Sequence, residues 1–138
     1  MNGREFHWHA WLDGLGVIGY PVDEGQRAEL HDAWLHAFCP GVRRATGDAI
    51  HRGYRWHAFS YGYDLALCGE SATRAYARAG RSNFRLLFED GSIFECFGPP
   101  AVDLSGEDCY VFSDDLGWTM AFTHEQESGL GPYFVRHG

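Results

Sequence analysis

The chain has 138 residues, 45% of them hydrophobic and 16% aromatic, and its 11 basic residues, all Arg, face 19 acids for a formal net charge of −8. That composition can fill a single core spanning 1–138 without staples, and it excludes a disordered chain. Its charge disfavours nucleic acid and anionic lipid as partners, and no apolar run approaches the roughly 20 residues of a membrane span.

The start, Met1-Asn2-Gly3-Arg4-Glu5-Phe6-His7, has no apolar signal core, which points to a cytoplasmic protein. Trp8, Trp11, Leu12 and Leu15 recur at helical spacing, and Gly14 or Gly16 ends that helix. Asp23 with Gln26 resembles a capping box. It opens a second helix whose stripe is Leu30, Ala33, Trp34, Ala37 and Phe38, opposite Arg27, His31, Asp32 and His36. Cys39-Pro40-Gly41 stops it, and a short helix is expected over Gly47–Arg52. Tyr54–Tyr61 reads as an aromatic-rich strand. Ser71 can cap a third helix that turns Ala72, Ala75, Tyr76 and Ala79 inward, with Gly80 as its end.

Beyond Gly80 the period changes to two. Phe84–Glu89 and Ser92–Phe97 flank Asp90-Gly91, and a two-residue turn there pairs Phe88 with Ile93, Leu87 with Phe94 and Phe84 with Phe97. A second hairpin joins Cys109–Ser113 to Trp118–Thr123 across Asp114-Asp115-Leu116-Gly117, placing Cys109 opposite Phe122 and Val111 opposite Met120. Helices first and hairpins later define an α+β protein: an antiparallel sheet of consecutive hairpins with N-terminal helices packed on one face. The exposed face and edges of that sheet would fall mostly in its acidic half.

Charge divides the chain. Between Arg85 and Arg136 lie fifty residues with ten acids and no Lys or Arg. Asp90, Asp108, Asp114 and Asp115 sit where turns favour Asp, but turn chemistry leaves the missing Arg unexplained. Cys39, Cys68, Cys96 and Cys109 form no C-x-x-C and read as thiols, not as disulfides or a structural zinc site.

Two strings stand out, Gly53-Tyr54-Arg55-Trp56-His57-Ala58-Phe59-Ser60-Tyr61 and Trp118-Thr119-Met120-Ala121-Phe122-Thr123-His124-Glu125, followed by Gly131-Pro132-Tyr133-Phe134. With Trp34 and Phe38 as a preceding W-x-x-x-F, this ordered set resembles a bacterial family of small single-domain proteins of unknown function, from about Leu30 to Phe134. The resemblance implies a shared fold and carries no activity. The Trp- and His-rich start departs from that pattern.

If the strands bearing them are neighbours, His57 and His124 can approach, with Glu125 as an orienting carboxylate. Such a group can move protons or hold a metal. The plainer reading has His57 bonded within an aromatic cluster and His124 at a strand end. His7 and His9 fall on a helical segment, and His31 and His36 miss the i, i+4 spacing. Arg74, Arg78 and Arg81 make a row on the third helix that reads as a solvated face.

The function favoured by charge and size is a non-enzymatic binding protein, an immunity-type inhibitor that covers a cationic protein such as a toxin. Glu107, Asp108, Asp114, Asp115, Trp118, Glu125 and Glu127 would form the contact, without metal or cofactor, from a monomer or weak homodimer. The alternative is a small enzyme or a metal- or ligand-binding domain that uses His57, His124, Glu125 and Tyr61, with no catalytic residue favoured in the first reading. A third possibility is self-association of the Arg74/Arg78/Arg81 face with the acidic sheet.

Overall fold

The structure, a computed structural model, describes residues 1–47 and 53–137. In chain order the elements are α1 (Gly3–Gly14), β1 (Ile18–Pro21), α2 (Glu24–Phe38), α3 (Pro40–Thr46), α4 (His57–Ser60), β2 (Leu67–Cys68), α5 (Glu70–Ala79), β3 (Asn83–Phe88), β4 (Ile93–Phe97), β5 (Cys109–Phe112), β6 (Trp118–Phe122) and β7 (Tyr133–Arg136). The strands form one sheet in the order β1-β4-β3-β5-β6-β7-β2, with every neighbouring pair antiparallel. The α+β class therefore holds. Among the described residues, no helix is long and apolar enough to cross a membrane.

Local chemistry explains the helix ends. Asn2 accepts from the Glu5 N–H and the Glu5 carboxylate accepts from Asn2, a reciprocal cap that starts α1 well before Trp8. Asp23 accepts from the Gln26 N–H at 2.8 Å and opens α2 as expected. Pro40 stops α2, but it also takes the first position of α3, where its missing N–H costs nothing. The third predicted helix begins at Glu70, with Gly69 and not Ser71 at its cap. Of the helix expected over Gly47–Arg52, residues 48–52 lie outside the described residues, and Gly47 ends α3.

The helices cover both faces of the sheet, which corrects the one-face arrangement. On one side α1 and α5 bring Leu12, Ala72 and Tyr76 against Leu86, Phe88, Val111, Met120 and Phe134. On the other, α2, α3 and α4 bring Trp34, Phe38, Val42 and Phe59 against Leu87, Tyr110, Phe112 and Ala121. Every residue of β5 and β6 is consequently buried, while Glu95 and Phe97 of β4 remain exposed toward the β1 edge. Trp34 lies at the centre of the second layer, and its indole donates to Thr119 Oγ1 at 3.0 Å.

The segment Tyr54–Tyr61 is a turn leading into α4, and not a strand. His57 N–H donates to Tyr54 C=O at 3.0 Å and Ser60 N–H to Trp56 C=O at 3.1 Å. Its aromatic enrichment suits a sheet, but from His57 onward its backbone donors are satisfied locally. The second hairpin keeps the expected register, Cys109 opposite Phe122 and Val111 opposite Met120. The first is shifted by one residue: Leu87 faces Ile93, Leu86 faces Phe94, and Phe84 faces Cys96. Its loop holds three residues, because Phe88 N–H bonds Ser92 C=O and Gly91 adopts φ 90°. Gly91→Ala is expected to lower stability by about 1–2 kcal/mol, because a Cβ disfavours that backbone. Urea denaturation with an unchanged m-value checks it.

Candidate functional site

The aromatic string is fastened to the sheet through Arg55. Its guanidinium meets the Glu89 carboxylate at 2.6 Å and the Glu89 carbonyl at 2.8 Å, while its Nε lies 3.0 Å from His31 Nε2. The Tyr110 hydroxyl donates to Glu89 at 3.1 Å and accepts from the Trp56 N–H at 2.7 Å. Burial raises Glu89 above the ordinary Glu range, with Arg55 pulling the other way. This network holds the backbone of Arg55 and Trp56 in one place. Its role is positional.

Asp108, just before β5, is the hub of the neighbouring site. Its Oδ1 accepts from Trp56 Nε1, from the His124 backbone N–H and from His124 Nδ1, each at 3.0 Å. The His124 ring is thereby oriented with Nε2 outward, 3.8 Å from Glu125 Oε1. The hydrogen bond to Asp108 raises the His124 pKa above its ordinary value. A raised histidine contributes stability that is complete below the unfolded value of about 6.5 and is lost as pH rises through the folded value. Asp108→Asn is expected to return His124 toward its ordinary titration and remove that contribution, as an NMR titration of the ring protons would show.

His57 and His124 share a neighbourhood. The Tyr54 ring lies 5.6 Å from His57 and 4.9 Å from His124, centroid to centroid, and Trp56 lies 4.6 Å and 6.1 Å from the same two rings. His57 and Tyr61, four residues apart, share one face of the α4 turn, and their rings stack at 4.8 Å. Tyr54, His57, Tyr61 and Tyr63 line a hollow of about 180 Å³ with Val42. Ser60 Oγ is buried without a hydrogen bond among the described residues. The His124–Asp108 partnership was within reach of the sequence: the register that pairs Cys109 with Phe122 places Asp108 beside Thr123 and His124.

The acids expected to form one contact surface are divided between opposite ends of the β5–β6 hairpin. Asp108 and Asp114 are six residues apart along it, about 20 Å at strand rise. At the turn end, Asp115 accepts from Ser113 and Gly117, and Asp114 lies 3.7 Å from Arg85. Arg85 also reaches Glu95 at 3.4 Å. At the open end, Glu107, Glu125 and Glu127 have no Arg partner among the described residues, and neither has Asp103. Trp118 is 6% exposed and stacks on Phe134, so it supports β6 from within the core. Cys39, Cys96 and Cys109 are buried thiols and Cys68 is an exposed one. Burial pushes Cys96 up to about 12, so it is protonated and unreactive at neutral pH.

Fold and site together define a helix-covered antiparallel sheet with an oriented imidazole at one end of its central hairpin, beside carboxylates that have no Arg partner among the described residues. The chain belongs to the family described as Domain of unknown function (DUF4275), which it matches over residues 43–134. The match takes in both motif strings and Gly131–Phe134, and leaves α1, β1 and α2, with Trp34 and Phe38, before it. No curated protein and no solved structure matches the chain.

Proposed function

We propose that this protein is a binding protein of the immunity type, which neutralises a cationic protein partner by covering it. The observation that carries the reading is the open end of the β5–β6 hairpin, where Asp103, Glu107, Glu125 and Glu127 stand without an Arg partner among the described residues. Elsewhere in the acidic half, guanidinium groups from the first half reach Glu89, Glu95 and Asp114. The contact is therefore placed at Glu107, Asp108, Glu125 and Glu127, with Asp114 and Asp115 outside its centre. Exposed Tyr54 and Tyr61 beside it offer the aromatic anchors that concentrate binding energy, while an acidic rim speeds encounter.

The test begins with the protein captured from the cell of origin and its association kinetics with the purified partner. Glu107→Lys with Glu127→Lys is expected to slow association roughly tenfold at low salt and to flatten its salt dependence. An on-rate unaffected by salt or by the charge reversal would refute the reading.

A second reading is favoured by the Asp108–His124 geometry: a small ligand-binding or acid–base site using His57, His124, Glu125 and Tyr61. An imidazole oriented by a carboxylate is what proton transfer or ligation needs. It requires both histidines to act on one bound species, so such a ligand would shift the ring resonances of both together. A ligand that moves only one of the two rings would remove it.

A further inference from the structure

Residues 61–67 present an unusual display of apolar side chains: Leu65 is 93% exposed, Tyr61 67%, Leu67 47% and Tyr63 43%. The segment is nonetheless firmly held. Between those residues Asp64 is buried, and its carboxylate accepts from the Gly41 N–H at 2.6 Å and the Val42 N–H at 2.9 Å. Ala66 packs against the second core layer. Alternate residues thus tie the chain down while the others are kept out in solvent. Such preorganisation lowers the ordering cost of binding.

The segment is flanked by two hollows. Tyr61 and Tyr63 line the one of about 180 Å³, and Leu65 and Leu67 line a groove of about 430 Å³ closed by Ala75, Phe134 and Arg136. The groove lies along β2, the last strand of the sheet, whose outer edge pairs with no strand among the described residues. The opposite edge strand, β1, ends in Pro21 and has no N–H there to offer an incoming strand. Charge decides what fits. Gly129 C=O faces Cys68 Sγ at 3.9 Å, which sets the loop carrying Glu125 and Glu127 beside the end of β2. A second copy, with the same acids and a net charge of −8, is disfavoured there.

We infer that β2 and residues 61–67 dock an extended segment of a cationic protein, adding it to the sheet edge. An apolar side chain of the segment enters the Leu65/Leu67 groove, and its basic residues meet Glu125 and Glu127. This rests on the cationic-partner reading and supplies its apolar centre, the part that fixes the dissociation rate.

The test uses the full chain and two short amidated peptides of equal charge, one alternating Leu with Arg, the other Ser with Arg. Binding is measured by fluorescence anisotropy at low salt. The Leu peptide is expected to bind roughly tenfold tighter, the worth of one well-buried leucine. Leu65→Ser with Leu67→Ser is expected to erase that preference and leave the Ser peptide unchanged. Both side chains are exposed, so folding should survive, and near-UV circular dichroism verifies it. Equal affinity for the two peptides, or a preference that persists in the double variant, overturns the inference. So does a dimer in sedimentation that the double variant dissolves, since the occupant would then be a second copy. Glu125→Gln with Glu127→Gln should weaken both peptides alike; no weakening there defeats the cationic-partner reading while leaving the apolar preference on its own evidence.

Discussion

Replacing Arg55 by alanine is expected to destabilise the protein by about 3 kcal/mol, the lower end of the cost of stripping a partner from a buried ion pair. The lower end applies because the Glu89 side chain keeps 21% of its exposure and can regain water. Arg55 also donates its backbone N–H to Glu89 at 3.1 Å, and that bond survives the substitution. Burial already raises Glu89, so loss of the guanidinium raises it further. The folded state then holds a proton over a window that opens near the ordinary Glu value of about 4.3 and extends upward. Stability of the variant should fall as pH rises through that window, because the folded form binds more protons than the unfolded one. Urea denaturation at pH 4.5 and 7 checks both parts, using roughly ordinary conditions for such carboxyl groups. Arg55→Met with Glu89→Leu should recover most of the loss, since a well-packed apolar pair removes the desolvation cost on both sides. A loss below about 1 kcal/mol for Arg55→Ala would mean the pair behaves as a surface contact.

Gly41→Ala sets two effects against each other. Inside a helix the change ordinarily stabilises by up to about 1 kcal/mol, because alanine is the better helix former. At Gly41, however, an added Cβ would collide with the Tyr63 carbonyl oxygen and sit 2.7 Å from Asp64 Oδ1. Neither neighbour is free to retreat. The Tyr63 oxygen is backbone, and the Asp64 carboxylate binds the first turn of α3. The clash wins, with an expected net loss of about 2–3 kcal/mol, in the range for overpacked interiors. The 61–67 segment should shift with it, so amide shifts of Tyr63–Ala66 report the mechanism. A stabilised variant with those shifts unchanged would show that α3 and the loop are less closely apposed than described.

Much of the fold was legible where one local signal had one structural answer. Asp23 caps α2, Asp114–Gly117 turns the second hairpin in the expected register, and Trp34 and Phe38 bury the α2 stripe. Asp90-Gly91 marked a real turn, but Gly91 can end a three-residue loop as readily as fill a two-residue one, which moved the register by one. The burial of both sheet faces has its own signal. Cys109-Tyr110-Val111-Phe112 is apolar at odd and even positions alike, as a strand covered on two sides must be. Tyr54–Tyr61 misled because aromatic content outweighed the brevity of the segment and its flanking glycines. Strands β1 and β2, four and two residues long, carry too little pattern to be seen. At the site, counting acids along the chain could not tell which would be met by Arg85 and which would gather at the far end of the hairpin. That depends on strand order.

Capture of a cationic partner depends on a local negative potential at the open end of the β5–β6 hairpin. It can be measured without any partner, by comparing how small cationic and anionic nitroxide probes broaden each amide signal. Amides of residues 103–108 and 123–128 are expected to relax several-fold faster with the cationic probe than with the anionic one, a contrast that added salt diminishes. The Asp114–Gly117 turn should show a smaller contrast, since Arg85 offsets its charge. Equal broadening by both probes at the open end would contradict the account.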